Sequence, residues 1–306
     1  MRVECSREAL FYTDEGKGDA SLRCLLCPNE CVMPEGQTGR CHVRVNSGGV
    51  LHAASYGAIS ALALDPIEKK PLAHFFPGSR ILSAGSFGCN LSCKFCQNHE
   101  ISQRGISGSE GRDSGGRSAS YMSPEELVRS ALDARPGGNI GLAYTYNEPF
   151  VGYEFVRDTA ERVKDAGLVN VLVTNGYVNH EPLVALMPFI DAINVDLKSF
   201  SDSFYRYMCG GKLTPVMHSV ETIAKDFPSC HIEITTLVIP GLNSSKDEIE
   251  SLASWLASIS TNIPLHLSRH HPDYLLPSPE PIAREEIMEL AEIARFHLRT
   301  VYCGNM

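Results

Sequence analysis

The hydrophobic positions from residue 81 onward follow two alternating periods. Short runs of β-branched and apolar residues, typical of buried strands, are each followed by a stretch in which apolar residues recur every three to four positions, as on one face of a helix. The runs predicted as strands are residues 81–86, 140–146, 169–174, 192–197, 231–239, 264–268 and 300–303. Ser123 and Ser245 each precede a helical stretch and have a glutamate three residues later, which predicts two capping boxes.

Six βα units in succession predict a parallel sheet, arranged as a doubly wound open sheet or as a full or partial (β/α) barrel. Both arrangements place ligands at the carboxyl ends of the strands. Polar and conformationally special residues do collect where the predicted strands stop: Gly88-Cys89, Asn147-Glu148-Pro149, Asn175-Gly176, Asp196-Leu197-Lys198, Pro240-Gly241 and Arg269-His270-His271. We therefore expect the functional site at this edge of the sheet.

The first 80 residues have a different pattern. They are rich in cysteine and short on helical periodicity, which predicts a small loop-rich or β-rich subdomain over residues 1–80, followed by the core over residues 81–306. Residues 104–117 are dominated by glycine, serine and charged side chains, and they predict a solvated surface loop.

Composition narrows the class of protein. With 43% hydrophobic and 21% charged residues, the 306-residue chain is predicted to be a soluble globular protein, and its net charge of −9 argues against a nucleic-acid partner. No window approaches a membrane span and the N-terminus lacks the apolar run of a signal peptide, so we expect a cytoplasmic protein without a membrane partner. Seven of the eleven cysteines fall in two tight groups, which indicates metal binding rather than disulfides.

The first cysteine group, Cys89, Cys93 and Cys96, has the spacing CxxxCxxC directly after a predicted strand. Thiolates are good ligands for iron, and three of them on one short loop can bind three corners of an iron–sulfur cubane while one iron stays open. A buried structural set of thiols is the plain alternative. Zinc is the chemical alternative, although three thiolates at a strand end fit an open cluster better than a closed tetrahedral site.

The second group consists of four thiols within eighteen residues, Cys24, Cys27, Cys31 and Cys41. Four thiolates suffice to close a tetrahedral metal site. Zinc or another structural metal would help to fold a small subdomain that has little core of its own. An auxiliary iron–sulfur cluster for electron relay is the alternative, but the spacing Cx2Cx3Cx9C differs from that of ferredoxins.

The cysteine loop also carries a resemblance. With Phe95 before the third cysteine, it looks like the cluster loop of the radical S-adenosylmethionine (SAM) superfamily. Residues 85–97, followed by Tyr-Thr-Tyr-Asn-Glu-Pro, Val-Thr-Asn-Gly, Val-Asp-Leu-Lys and Leu-Val-Ile-Pro-Gly, resemble the pyruvate formate-lyase activating enzyme group in order and spacing. With the N-terminal cysteines included, the chain resembles the AmmeMemoRadiSam system radical SAM enzymes. The resemblance implies an α/β fold with a partial (β/α)6 TIM-type barrel, open on one side.

The resemblance assigns cofactors and partners. Cys89, Cys93 and Cys96 would hold a [4Fe–4S] cluster whose open iron binds the amino and carboxylate groups of SAM, and reduction would cleave SAM to methionine and a 5′-deoxyadenosyl radical. It further implies an electron donor such as flavodoxin or ferredoxin, and Memo-like and AMMECR-type proteins as partners.

Glu148 and Asn147 stand where the family binds the methionine part of SAM. A carboxylate suits the SAM amine, and Glu148 occupies the glutamate position of the family's Gly-Gly-Glu-Pro motif. The chain departs from that motif because Tyr146 and Asn147 replace the two glycines. Asn147 is therefore a predicted SAM contact at which close backbone approach is in doubt.

The remaining predicted SAM contacts come from later strand ends. Asp196 and Lys198 match an Asp-x-Lys pair near the SAM carboxylate and ribose, and alternate residues on a strand face the same way. The alternative is an ordinary salt-bridged pair. Asn175 is either a SAM contact or an Asn-Gly turn former. Either His270 or His271 matches a histidine near the adenosine, and the sequence does not choose between them.

Cys209 is the one isolated cysteine with a notable position. It follows the fourth predicted strand on the catalytic side and is placed to line the substrate mouth. The alternative is a small buried apolar residue.

The predicted function is a radical SAM enzyme that abstracts hydrogen from an unidentified small-molecule or protein substrate. Activation of a glycyl radical enzyme is the alternative within that chemistry. A metal-binding or electron-transfer module without SAM chemistry is the alternative of another class. Glu148, Asp196 and Lys198 favour the enzyme, because an electron carrier has no need of a carboxylate and a cation beside an open iron.

Overall fold

The computed structural model describes residues 7–16, 20–107, 112–113 and 119–306. Its strands are β1 (Arg7–Glu8), β2 (Tyr12–Asp14), β3 (Leu22–Cys24), β4 (Val32–Met33), β5 (Arg44–Ser47), β6 (Val50–Ala53), β7 (Ala58–Ile59), β8 (Ala61–Pro66), β9 (Arg80–Gly85), β10 (Ile106–Ser107), β11 (Arg112–Asp113), β12 (Ser120–Tyr121), β13 (Asn139–Tyr144), β14 (Val169–Thr174), β15 (Ala192–Asp196), β16 (His231–Val238), β17 (Leu265–Arg269) and β18 (Val301–Gly304). Residues 108–111 and 114–117 of the expected surface loop lie outside this description.

The helices are α1 (His99–Ser102), α2 (Pro124–Asp133), α3 (Tyr153–Asp165), α4 (His180–Leu186), α5 (Asp202–Phe204), α6 (Leu213–Asp226), α7 (Lys246–Ile259) and α8 (Arg284–Arg295). Ser123 and Glu126 form the complete capping box at the start of α2. The box predicted at α7 is half wrong: Ser245 caps the helix, but the carboxylate of Glu248 accepts from Ser199 and Phe200 instead. No helix in the described residues is long and apolar enough to cross a membrane.

Eight strands form the main sheet in the order β8-β9-β13-β14-β15-β16-β17-β18. The seven strands from β9 onward are parallel, and β8 pairs antiparallel with β9. Because the spatial order equals the chain order, right-handed crossovers place the connecting helices on one face, and the sheet curves around the other face as in a barrel. In a doubly wound sheet the spatial order of the strands changes direction at one point, and this sheet has no such reversal. The fold is therefore the predicted partial TIM-type barrel, with β8 and β18 at its two edges.

The strand β8 was not among the predicted strands. It lies within residues 1–80, so the main sheet begins inside the segment assigned to the Cys-rich subdomain. Among the described residues, the other strands of that segment form two small antiparallel sheets, β1-β6-β5 and β2-β3-β4, and β7 pairs antiparallel with β12. A buried ion pair joins the N-terminal segment to the barrel. Arg44 Nη2 lies 2.9 Å from Oε1 of Glu154 on α3, and the two side chains are 1% and 3% exposed.

The amino ends of the barrel strands are closed by the segment between β8 and β9. The backbone N–H groups of Ala73 and His74 donate to the buried carboxylate of Glu233 on β16. His231 and His266 bond the same carboxylate. His74 also contacts Tyr302 on the edge strand β18, with 2.9 Å between Nε2 and the phenol oxygen. A ligand therefore has access to the barrel from the carboxyl ends of the strands.

Candidate functional site

The loop after β9 carries the three predicted ligands Cys89, Cys93 and Cys96. Gly88 opens the loop with φ +84°, and a Cβ there would lie 2.4 Å from the carbonyl oxygen of Cys41, so only glycine allows this approach. The thiol of Cys93 is buried, whereas Cys89 and Cys96 are partly exposed. The loop thus holds the thiols at the carboxyl end of the sheet, as predicted.

Two of the three sulfurs have hydrogen-bonding neighbours. Cys89 Sγ accepts from the backbone N–H of Leu91 at 3.4 Å and from Asn175 Nδ2 at 3.5 Å. Cys96 Sγ lies 3.1 Å from the hydroxyl of Ser102. Donors to a sulfur favour the thiolate that a metal ligand requires. At Cys93, by contrast, the neighbouring Cys209 thiol and burial both raise the pKa.

The three thiols also share one electrostatic environment. Burial raises the pKa of Cys89, and the charges of Glu148, Cys93 and Cys96 raise it further. Three mutually repelling thiolates need a positive centre among them. Three thiols on one short loop can bind three corners of an iron–sulfur cluster and leave one iron open, so the donor set fits.

Glu148 is a buried carboxylate beside this loop, 3% exposed. It accepts hydrogen bonds from the hydroxyl of Thr174 (2.8 Å) and the backbone N–H groups of Asn175 (2.8 Å) and Phe150 (3.0 Å). Burial raises its pKa to about 7, although these bonds oppose the shift. A carboxyl group with this pKa loses its proton when a cation binds beside it, because the cation lowers the pKa.

Asp196 and Lys198 form an ion pair at the end of β15, with 2.6 Å between Oδ2 and Nζ. Burial acts to lower the pKa of Lys198, but the charges of Asp196 and Cys93 outweigh it and raise the pKa. Burial raises the pKa of Cys96, and the charge of Lys198 is among the causes that oppose this shift. The two side chains thus form the ion pair that was the alternative to SAM contacts, and this pair lies next to the cysteine loop.

Asn147 holds the cysteine loop rather than facing an open space. Its Oδ1 accepts from the backbone N–H of Ser86 (2.9 Å), and its Nδ2 donates to the carbonyl oxygens of Phe87 (3.0 Å) and Gly88 (3.1 Å). Tyr146 before it adopts φ +72°, a left-handed conformation that favours glycine.

The two histidines after β17 are in different surroundings. His270 is 1% exposed, and neither ring nitrogen has a hydrogen-bond partner among the described residues. Burial lowers its pKa, which favours the neutral ring. His271 is exposed. A buried imidazole with two unused polar atoms is the better candidate for a ligand contact.

Asn90 is a site residue that the sequence analysis missed. Its side chain donates to the carbonyl oxygen of Tyr177 (2.6 Å) and accepts from Asn175 Nδ2 (2.9 Å), and its own carbonyl oxygen accepts from Asn29. Its place between the first two cysteines was the available signal. Asn90 joins the cysteine loop to the end of β14 and to the N-terminal cysteine group.

The N-terminal cysteines Cys24, Cys27, Cys31 and Cys41 line one enclosed cavity of about 20 Å³, together with Arg44 and Asn90. This volume is enough for one water-sized occupant. Burial raises the pKa of Cys27 to about 12 and that of Cys41 to about 11. The Nε of Arg44 is buried without a partner in the described structure. Four thiols around one small space, beside a cation, suit a structural metal ion once the thiols close around it.

Residues 85–256, more than half of the chain, match the Radical SAM superfamily. The chain therefore belongs to this superfamily. An uncharacterized protein of Methanocaldococcus jannaschii is 39% identical over 98% of this chain and 85% of its own length. A putative glycyl-radical enzyme activating enzyme of the same organism is 24% identical over 72% of this chain and 78% of its own length. The pyruvate formate-lyase 1-activating enzyme of Escherichia coli K12 is 22% identical over 64% and 75%.

A solved structure has the same fold. Streptococcus suis SuiB bound to S-adenosylmethionine superimposes with a TM-score of 0.52 at 12% identity. The match covers 71% of this chain and 47% of SuiB, so the chain spans about half of that protein. Membership of the superfamily confirms the predicted cofactors, a [4Fe–4S] cluster and SAM, and the predicted class of enzyme. As a radical SAM enzyme it cleaves SAM reductively, and it is similar to the pyruvate formate-lyase activating enzymes.

Proposed function

We propose that Cys89, Cys93 and Cys96 ligate the [4Fe–4S] cluster and that SAM lies over the carboxyl ends of β13–β17. When bound and reduced, the cluster supplies the electron that cleaves SAM to methionine and a 5′-deoxyadenosyl radical. The observation that carries the proposal is the convergence of three thiols, a buried carboxylate and an ion pair from separate strand ends. Neither a structural thiol cluster nor an electron carrier requires this combination.

Glu148 binds the ammonium group of SAM in this proposal. Its three hydrogen-bond donors fix the carboxylate, and the arriving cation compensates the cost of ionising it in a buried position. Asn175 donates to Cys89 Sγ and to Asn90. It thus sets the distance between the carboxylate and the cysteine loop. Asn147 contributes by holding the start of that loop, not by a direct SAM contact.

Lys198 and Asp196 bind the carboxylate and ribose of SAM. Their charges neutralise each other across 2.6 Å. SAM would divide this pair, with Lys198 on its carboxylate and Asp196 on its ribose hydroxyls. His270 contacts the adenosine part in preference to His271, because its buried ring nitrogens need polar partners. These side chains would hold the methionine, ribose and adenosine parts of SAM beside the cluster.

The reaction proposed is hydrogen abstraction from a substrate in the barrel lumen. Activation of a glycyl radical enzyme is the second candidate, and the likeness to the putative glycyl-radical enzyme activating enzyme favours it. Flavodoxin or ferredoxin is the proposed electron donor, and Memo-like and AMMECR-type proteins are proposed partners. The ten described cysteines are all free, which supports a reducing compartment such as the cytoplasm.

We further propose that residues 1–80 are a metal-bearing subdomain, with Cys24, Cys27, Cys31 and Cys41 as ligands. The small cavity favours a single zinc ion over an auxiliary iron–sulfur cluster. The ion pair between Arg44 and Glu154 would hold α3 against this metal site. The helix α3 begins five residues after Glu148.

The test is anaerobic reconstitution followed by measurement of iron, sulfide and zinc per chain and of dithionite-driven formation of 5′-deoxyadenosine. We expect about four irons, one zinc and SAM cleavage. Cys93→Ala is expected to abolish cleavage, while Cys230→Ala, a buried cysteine far from the site in sequence, serves as the matched control. Cleavage by the Cys93 variant at the control rate would overturn the assignment.

A further inference from the structure

The chain turns sharply at Tyr146, between the end of β13 and Glu148. Tyr146 adopts φ +72°, and the backbone N–H of Asn147 donates to the carbonyl oxygen of Thr145 at 3.0 Å. A three-residue turn that is closed in this way and has a positive φ at its centre is a γ-turn of the rare, strained type. A residue with a side chain keeps such a conformation only when its surroundings hold it there.

The side chain of Tyr146 has three contacts that can hold the turn. Its ring packs against Gly85 on β9, where an added Cβ would lie 2.9 Å from Tyr146 Cδ2. Its hydroxyl donates to Oδ2 of Asp65 on β8 at 2.6 Å. The ammonium nitrogen of Lys70 lies 4.6 Å from the centre of the ring, in a cation–π contact. These three contacts are the anchor of Tyr146.

The anchor is itself fixed by a buried ion pair. Lys70 Nζ donates to Asp65 Oδ2 at 2.9 Å, and the two side chains are 2% and 14% exposed. Burial acts to raise the pKa of Asp65, but the hydrogen bonds from Tyr146 and Lys70 outweigh it and lower the pKa to about 2. The carboxylate is therefore ionised at neutral pH. Because a buried ammonium needs its anion, Lys70 keeps Asp65 in place beneath the tyrosine hydroxyl.

The turn is connected to both halves of the proposed SAM site. The carbonyl oxygen of Tyr146 accepts from Asn98 Nδ2 at 2.8 Å, and Asn98 follows the third cysteine of the cluster loop by two positions. On the other side of the turn, Glu148 follows Tyr146 by two positions, and its backbone N–H donates to the carbonyl oxygen of Gly88 at 3.4 Å. A change of φ at Tyr146 would redirect this carbonyl group and the carboxylate of Glu148 together.

We propose that Tyr146 is a positioning residue whose anchored side chain holds the γ-turn and thereby keeps Glu148 in the conformation that binds the SAM ammonium. Without the anchor, a part of the molecules has a relaxed turn, and the apparent affinity for SAM falls with the fraction that stays competent. Glycine adopts positive φ without this strain, so glycine at this position needs no anchor. The inference rests on the proposed role of Glu148, and it extends the SAM site to Asp65 and Lys70.

The experiment measures SAM binding to the reconstituted protein by anaerobic calorimetry, with the cluster oxidised so that SAM is not cleaved. Tyr146→Ala and Tyr146→Gly both remove the anchor, and they differ mainly in their freedom to adopt positive φ. We expect the Kd of the alanine variant to rise about tenfold, which corresponds to about 1.4 kcal/mol, whereas the glycine variant should stay within about threefold of the unchanged protein. Tyr146→Phe loses only the hydroxyl and should lie between the two. In steady-state assays the loss should appear in the KM for SAM rather than in kcat.

Tyr56→Phe is the matched control, because the Tyr56 hydroxyl donates to Asp158 on α3 at 2.8 Å, away from the turn. Its Kd should equal that of the unchanged protein. Equal Kd values for the alanine and glycine variants would overturn the proposal, since a merely structural loss affects both alike. If the alanine variant does not load a cluster, a glycine variant that binds SAM more weakly than the phenylalanine variant contradicts the strain account. Absence of SAM binding by the unchanged protein would instead refute the proposed function.

Discussion

The side-chain amide of Asn29 donates a 2.7 Å hydrogen bond to the carbonyl oxygen of Asn90. Asn29 lies between two cysteines of the N-terminal group, and Asn90 follows the first cluster ligand. The backbone of Cys41 also packs against Gly88. The two cysteine groups are therefore neighbours in space, and a disturbance of one has a short path to the other.

Asn29→Ala should loosen the cluster loop without removing any ligand. Loss of a hydrogen bond of about 1 kcal/mol corresponds to a roughly fivefold change in an equilibrium constant. We expect the cluster of the variant to be lost in air several times faster, measured by the decay of its visible absorbance. Asn262→Ala, at an exposed position, is the control and should decay at the unchanged rate. Identical decay of both variants would show that the hydrogen bond between Asn29 and Asn90 does not stabilise the cluster loop.

Cys27→Ala should remove the N-terminal metal and spare the cluster. Because four thiolates are needed to close a tetrahedral site, we expect zinc content to fall below one-tenth per chain, with a lower melting temperature. SAM cleavage per bound cluster should stay within about threefold of the unchanged protein. A matched change at Cys230 leaves the zinc in place. Loss of about four irons, rather than zinc, would identify the N-terminal site as an auxiliary cluster.

Arg44→Met should lower the free energy of unfolding, because it leaves the carboxylate of Glu154 buried without its cation. Breaking a buried ion pair on one side costs about 3–5 kcal/mol. Urea unfolding of the iron-free protein measures this loss. The double variant Arg44→Met with Glu154→Leu should recover a large part of it, since no charge then stays buried. A double variant no more stable than the single one would show that Arg44 acts mainly through the neighbouring thiols.

The raised pKa of Glu148 predicts that the free energy of unfolding falls as the pH rises. Its folded pKa of about 7 is raised from an ordinary value of 4.5, so its contribution is full below about pH 4.5 and is lost as pH rises through about 7. At 1.36 kcal/mol per pKa unit the loss is about 3 kcal/mol. Glu148→Gln removes the titration, so the iron-free variant should gain on the unchanged protein across this window in urea unfolding. A constant difference between the two proteins would contradict the raised pKa.

The lowered pKa of Glu233 predicts that the free energy of unfolding falls as the pH decreases. Burial alone would raise its pKa, but hydrogen bonds with His231, His266 and the N–H groups of the closing segment outweigh burial and lower the pKa to about 2. Its contribution is therefore present above about pH 4.5 and is lost as pH falls toward 2. The stability advantage of the unchanged protein over Glu233→Gln should shrink by about 3 kcal/mol on acidification. An advantage that grows in acid would refute this account.

The sequence predicted those features that depend on residues near one another in the chain. The parallel strands, the Ser123 cap and the loop with Cys93 follow from local periodicity and spacing. Glu248 departed from its predicted cap because Ser199 and Phe200, about 48 positions away, offer it better donors. Residues such as these become neighbours only when the barrel forms.

The same limit explains what stayed open in the site. His270 and His271 have the same chemistry, and only their burial separates them. Cys209 carries no motif of its own, and it comes close to Cys93 through backbone hydrogen bonds that join Ser92 to Cys209 and Lys94 to Met208. The strand β8 lies at the edge of the sheet with most of its residues partly or fully exposed, so its pattern lacks a buried face.

The contact between His74 and Tyr302 has a kinetic consequence. It joins the segment after β8 to the opposite edge strand at the amino ends, so this segment covers that end of the lumen. We expect SAM and substrate both to approach from the carboxyl ends of the strands. With SAM proposed to bind against the strand ends, a substrate bound first would block its path, and we expect steady-state rates to follow an ordered scheme in which SAM binds before the substrate.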